Sequence, residues 1–218
     1  ASVARVVKGA GKTFIVDAMS SFGGVDINVP QIGIDFLVSS ANKCIQGVPG
    51  FSFIIARIEK LQASKGNARS LSLDLYDQWR VMEKDGGKWR FTSPTHVVAA
   101  FHRAISELKE EGGIAVRNAR YAKCNQMLRD GMKELGFEAY IDASHQGPII
   151  TTFFYPQNAN FTFAGMYDYL KTHGYVIYPG KLTERDTFRL GNIGEIYEED
   201  VERVLAIFKD YLNEENHA

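Results

Sequence analysis

The stretches FIVDAMSSFGG (residues 14–24) and SANKCIQGVPG (residues 40–50) decide how this chain reads. In the first, an apolar run ends on an acid, Asp17. In the second, Lys43 stands 26 positions further on, between Asn42 and Cys44 in a glycine-rich turn. One exposed charge at a strand end is commonplace. Two of opposite sign, each at the mouth of a strand expected to be buried, suggest a site, because an unpaired carboxylate is costly there.

The runs around these charges set the fold class. TFIVDA (13–18), IDFLVSS (34–40) and GFSFIIARI (50–58) are β-branched and apolar, and Pro49-Gly50 punctuates the last two. Runs apolar on both faces predict a sheet covered on both sides. The gaps are too short for full helical crossovers, so some strands must pair antiparallel. Residues 59–91 read as a long excursion with one helical stretch near 73–83, and loops of that length usually work as lids or interfaces. Ser93 is the expected N-cap of the next helix, with Pro94 at its first position and Gly112 at its end. The apolar stripe of that helix is Val97, Phe101, Ala104, Ile105 and Leu108. A second helix is expected over 114–135, closed by Gly136. Beyond it, FEAYI, PIITTFFY, YVIY and TFRLGN read as short strands, with helices near 161–173 and 199–213. The expected division is 1–113 and 114–218, the second part a separate α+β domain.

Composition excludes several function classes. A net charge of −1 provides no basic field for nucleic acid and no polybasic membrane anchor. No apolar stretch approaches the ~20 residues that cross a bilayer, and the first residues have no signal-peptide core. Cys44 and Cys124 fit no metal or redox spacing, and two lone cysteines suit a reducing cytoplasm. GAGKT (9–13) lacks the first glycine of a phosphate loop, since position 6 is valine. His96 and His102 are six apart and share no helix face, so no metal site is expected.

Lys43 and Asp17 can be weighed together. A lysine at the carboxyl mouth of a buried strand can be desolvated into a nucleophile for carbonyl groups. The bland alternative is a solvated loop lysine. Asp17 needs a cationic partner, either Lys43 itself or a protonated heterocycle. The second is the arrangement a pyridoxal cofactor requires, since the carboxylate keeps the ring nitrogen protonated.

At this point a resemblance carries the reading further. DAMSSFGG, SANKCIQGVPGF, ARSLSLDLYDQW, KWRFTSPTHVVAAF, YPGK and TFRLGNIG, in order across nearly the whole chain, resemble the 2-aminoethylphosphonate–pyruvate aminotransferase family, in class V of the pyridoxal-phosphate enzymes. The resemblance implies an α/β fold: part of a fold-type-I large domain with a mostly parallel mixed sheet, then a smaller α+β C-terminal domain. It implies that Lys43 carries pyridoxal 5'-phosphate covalently and that Asp17 pairs with the pyridine nitrogen. Thr92 would bond the cofactor phosphate across a homodimer interface, and Arg189 would bind the substrate's acidic group. The implied substrates are 2-aminoethylphosphonate and pyruvate, giving phosphonoacetaldehyde and L-alanine in the cytoplasm. In that family a segment with a phosphate-binding loop precedes the position matching Ala1, so an incomplete sheet with exposed apolar edges is expected here. Two alternatives remain open: another class V aminotransferase of the alanine or serine type, and a non-catalytic fragment that only packs or dimerises.

Overall fold

The structure is a computed structural model that describes residues 2–156, 161–180 and 185–215. It divides into two compact units, Ala1–Ile114 and Ala115–Ala218.

In the first unit a three-stranded sheet runs β1 (Ile15–Asp17), β2 (Phe36–Ser40), β3 (Ser52–Ala56), in that order. β1 and β2 are parallel, with Asp17 opposite Val38, and β2 and β3 are antiparallel. Short connections force this mixed pairing. The crossover from β1 to β2 holds only the one-turn helix α2 (Val29–Ile32), started by the Asn28 side chain accepting from Gln31 N and stopped by Gly33 at φ 79°. Only the central strand is well covered. Leu37 and Ser39 on one of its faces are fully buried, with Ala18 and Ile34 beside Leu37 in an apolar cluster. The expectation of a sheet covered on both sides is corrected at its flanks: Ile15 on β1 is 63% exposed and Ile54 on β3 is 40% exposed. β1 is an edge strand of three residues, and the face that carries Ile15 is largely open to solvent.

A helix also precedes the first strand, which the sequence reading did not foresee. α1 (Ser2–Gly9) ends in a turn at Gly11, φ 66°. Its Lys8 reaches back to the sheet, where Asp35 is 1% exposed. Phe14 N donates to Asp35 Oδ2 at 2.9 Å, and Lys8 Nζ and Arg57 Nε each stand 3.6 Å from Oδ1. The Phe14 amide, chiefly, and then Lys8, Lys60 and Arg57 hold this carboxyl below its ordinary value against the opposing effect of burial. A lowered value means a contribution to stability that is complete above the usual carboxylate range and lost as pH falls through the folded value. Asp35→Ala is therefore expected to lower stability by about 1–3 kcal/mol at pH 7 and to weaken its dependence on pH below about 4. Urea titrations at several pH values check both.

After β3 come α3 (Ile58–Gln62) and α4 (Leu75–Lys84), the latter capped by the Asp74 side chain accepting from Asp77 N. α5 spans Thr95–Glu110. It begins one residue later than expected: Pro94, at φ −77° and ψ 74°, is the cap, and no side chain caps the first turn. The helix ends where Gly112 and Gly113 take positive φ and their amides reach back to Lys109 and Leu108. Ala104 and Leu108 of the expected stripe are buried beside Ile45.

The second unit packs α6 (Ile114–Glu134), α7 (Phe163–Thr172) and α8 (Glu198–Glu215) with a second antiparallel sheet. Its order is β4 (Ile150–Phe154), β6 (Thr187–Gly191), β5 (Tyr178–Pro179). Phe153, Phe188 and Phe208 are fully buried in one cluster with Phe137 and Met132. FEAYI forms only a single bridge, Ala139 to Phe153, and of YVIY only Tyr178 joins the ladder. In both runs, apolar side chains, Phe137 and Ile177, enter the core without extended pairing. Lys181 of the YPGK stretch lies outside the described residues.

Candidate active site

Two adjacent parallel strands present their carboxyl ends at the same edge of a sheet, and open α/β sheets bind ligands at that edge. Asp17 is the last residue of β1, and Lys43 lies three residues beyond the end of β2, in the following turn. Both are exposed. Asp17 Oδ1 accepts from Met19 N at 2.9 Å, which fixes the carboxylate plane. Its other oxygen has no partner among the described residues. Lys43 and Asp17 do not pair with each other, which leaves the carboxylate available for a different cation.

The two loops are fastened to one another by small polar groups. Ala18 N donates to Val38 O at 2.8 Å, Ser39 Oγ to Ala18 O at 3.4 Å, and the buried Cys44 thiol to Ser20 O at 3.3 Å. The sequence marked Cys44 only as a lone thiol; here it ties the lysine turn to the aspartate loop. Within the turn, Gln46 N donates to Lys43 O and Gly47 N to Ala41 O, both at 2.8 Å. Among the described residues Gln46 is the one non-glycine residue at positive φ, 66°. Backbone held in that region costs on the order of 1–3 kcal/mol and persists where surrounding structure enforces it. Here the enforcement comes from Ile45, buried against the aspartate loop at Gly23. Gly23 sits at φ 91°, and a Cβ there would overlap Ile45 Cδ1. Gly23→Ala is therefore expected to cost about 2–4 kcal/mol, read as a lowered urea midpoint, through combined backbone strain and overpacking.

The far end of the lysine turn rests on α5. A Cβ at Gly50 would stand 2.7 Å from Val97 Cγ2, and Phe51 meets Phe101 edge-on with ring centres 5.2 Å apart. Thr92 is exposed in the extended segment that leads into this helix. With no side chain capping α5, the amides of its first turn remain a favourable place for an anion. Ser40 Oγ, at the end of β2 on the same face as Asp17, is buried with no hydrogen-bond partner among the described residues.

Arg189 belongs to the second unit. It sits in the middle of β6, between Thr152 on β4 and Tyr178 on β5. Alternation places Phe188 and Leu190 in the core and Arg189 on the opposite, open face. Arg189 Nε donates to Pro179 O at 3.4 Å, leaving the two terminal nitrogens for a ligand. A cavity of about 410 Å³ also touches Arg189, but Glu195 and Asp200 share its wall, which disfavours an anion there. β5 lies close on β6 because residue 180 is glycine: its amide donates to Thr187 O at 2.7 Å, and any Cβ would overlap Thr187 Oγ1. The loop after β6 is pinned to α6. Asn192 Nδ2 donates to Tyr121 O and Pro148 O, and Arg120 donates to the carbonyls of Gly194 and Ile196.

Among the described residues no group of His, Cys, Asp and Glu could hold a metal ion, and no helix is long and apolar enough to cross a membrane.

The family model described as aminotransferase class-V matches residues 1–181. A 2-aminoethylphosphonate–pyruvate transaminase of Bacillus cytotoxicus is 58% identical over 205 residues, covering 94% of this chain and 56% of that protein. A bifunctional phosphonoacetaldehyde hydrolase/aminoethylphosphonate transaminase of Clostridioides difficile is 56% identical over 97% of this chain and 33% of its own length. The chain thus spans about half the length, or less, of the curated relatives it matches. Among solved structures, pyridoxamine–pyruvate aminotransferase from Mesorhizobium loti superposes with a TM-score of 0.87 at 20% identity, over 99% of this chain and 56% of that one. Alanine–glyoxylate aminotransferase from Nostoc sp. gives 0.82 at 22% identity, over 96% and 56%.

Proposed function

Because this chain belongs to the class V aminotransferases, we propose that it carries the lysine half of a pyridoxal 5'-phosphate site that transfers the amino group of 2-aminoethylphosphonate to pyruvate. The observation that supports the cofactor is the shared edge of β1 and β2. One loop offers an exposed amine, and the other, tied to it through Cys44 and Ser20, offers a carboxylate with a free oxygen. That donor set suits a ring bearing an aldehyde on one side and a basic nitrogen on another, and the unpartnered Ser40 hydroxyl offers a further contact. When bound, the cofactor supplies an electron sink for the carbon from which a proton is removed.

The remaining work falls to the chain. Lys43 Nζ would hold the cofactor's aldehyde group and, as general base, would take the proton from the donor's amine-bearing carbon. Asp17 holds the ring nitrogen protonated through the oxygen that Met19 N leaves free. Thr92 donates to the phosphate, in a homodimer that brings this residue to the partner's site, and the uncapped first turn of α5 adds a favourable field. Arg189 takes the acidic group of each substrate with its two terminal nitrogens. The proposed setting is the cytoplasm, in keeping with two buried cysteines that form no disulfide among the described residues.

The names of the relatives favour aminoethylphosphonate as donor. The experiment is a donor comparison on the full-length protein, offering 2-aminoethylphosphonate, L-alanine and L-serine against pyruvate or glyoxylate. The reading requires 2-aminoethylphosphonate with pyruvate to give the highest kcat/KM. A protein that favours alanine or serine with glyoxylate belongs to another branch of the class, and one that binds no pyridoxal phosphate is not catalytic at all.

A further inference from the structure

We propose that Arg185 is a second anion-binding guanidinium, which with Arg189 selects a doubly charged phosphonate head group over a carboxylate. The inference rests on the donor reading above.

The sheet of the second unit puts the two arginines on one face. Thr187 stands opposite Phe154, and Arg189 opposite Thr152. Tyr155 N donates to Asp186 O at 3.1 Å, so the ladder continues one step before β6. Arg185, Thr187 and Arg189 therefore alternate onto the same side, away from the buried Phe188 and Leu190. The Arg185 guanidinium confirms this direction, lying 5.5 Å from the centre of the Phe154 ring.

Four positions along a strand separate the two Cα atoms by about 13 Å. Stacking on Phe154 shortens that gap. Phe154 and Arg189 are diagonal neighbours across the β4–β6 ladder, about 7–8 Å apart and within reach of long side chains. Among the described residues neither guanidinium pairs with a carboxylate. The side chain between them, Thr187, is buried, and its hydroxyl has no hydrogen-bond partner among the described residues. Thr152 presents a further hydroxyl directly opposite Arg189.

Chemistry assigns the pair. A carboxylate carries one charge on two oxygens, and a single guanidinium fork satisfies it. A phosphonate carries three oxygens and close to two charges at neutral pH, as phosphate monoesters do. One fork leaves an oxygen and much of that charge unmatched. Arg189 is then shared by the donor and by the carboxylate of alanine or pyruvate, whereas Arg185 serves the phosphonate alone.

The test uses the full-length holoenzyme and its Arg185→Gln variant, with L-alanine and 2-aminoethylphosphonate as donors in separate half-reactions. The expected result is a fall of about 10–100-fold in kcat/KM for 2-aminoethylphosphonate, carried mainly by KM. L-Alanine should change by less than about twofold, and Arg185→Lys should recover part of the loss because the charge remains. Equal losses with both donors would mean a structural role and overturn the inference, as would an unchanged preference. If the unsubstituted protein does not process 2-aminoethylphosphonate, the donor assignment falls and this inference with it. Retained processing with an unchanged donor ratio in the variant removes this inference alone.

Discussion

Replacing Lys43 with alanine is expected to lower amino transfer in the full-length protein by on the order of 10⁴-fold or more. Two separate losses combine. On the proposed reading, the amine that would hold the cofactor aldehyde disappears, and so does the group that would take the proton from the donor carbon. Neither can be replaced from nearby, because the turn around Lys43 offers only Asn42, Cys44 and Gln46, and the Cys44 thiol is buried with its proton directed at Ser20 O. Lys43→Arg should not rescue, since a guanidinium neither condenses readily with an aldehyde nor gives up its proton at neutral pH. The loops should survive the substitution. Lys43 is exposed, its carbonyl rather than its side chain closes the turn to Gln46 N, and Ile45 holds the turn against Gly23. Unfolding midpoints within about 0.5 kcal/mol of the original are therefore expected alongside the lost activity. A variant that loses stability in proportion to activity would show that Lys43 supports the fold rather than the chemistry.

The second large effect is expected at Arg189. Arg189→Ala should lower kcat/KM by about 10²–10³-fold for every acidic substrate, amino donor and 2-oxo acid acceptor alike. The loss should appear mainly in KM, because the proposed guanidinium contact is to an acidic group whose charge does not change during amino transfer, so ground state and transition state are bound about equally. Arg189→Lys should recover only part of it, since a point charge cannot reproduce two parallel bonds. This pattern separates Arg189 from Arg185, whose replacement should affect the phosphonate donor alone. An Arg189 variant impaired only toward one substrate would exclude a shared acid-binding role.

These residues were legible in the sequence to different degrees. Asp17 and Lys43 stood out because β-branched runs predict strands by composition alone, and a charge closing such a run is conspicuous. The turn after Lys43 was equally readable, since Gly47, Pro49 and Gly50 leave few conformations open. What could not be read was the means by which the two loops are joined. Cys44 and Gly23 lie 21 positions apart, and nothing in either local pattern says that a thiol will meet Ser20 O or that Ile45 will fill the space above a glycine.

Coverage of the sheet is hard to read for a related reason. Apolar periodicity reports what a strand is suited to bury, not what covers it, so runs that predict a sheet covered on both sides leave Ile15 and Ile54 exposed, while exposed apolar edges are what the resemblance implies. The N-cap of α5 moved by one residue because Pro94, though common at the first helical position, holds ψ at 74° and stays outside the helix. Arg189 read by itself as a surface residue of a strand, and only its register opposite Thr152 and Tyr178 shows which face it occupies. Arg185 gave no sequence signal, because its relation to Arg189 depends on a ladder that continues one step past the strand and on Phe154 standing across from Thr187.

The central claim is that the Lys43 amine and the Asp17 carboxylate serve a single pyridine ring. Borohydride reduction of the full-length protein with pyridoxal phosphate, followed by peptide mapping, tests it most directly. The account predicts one pyridoxyl mass per chain, located on Lys43, with labelling strongly reduced by Asp17→Ala. A label on any other lysine, or labelling of Lys43 that is indifferent to Asp17, would contradict it.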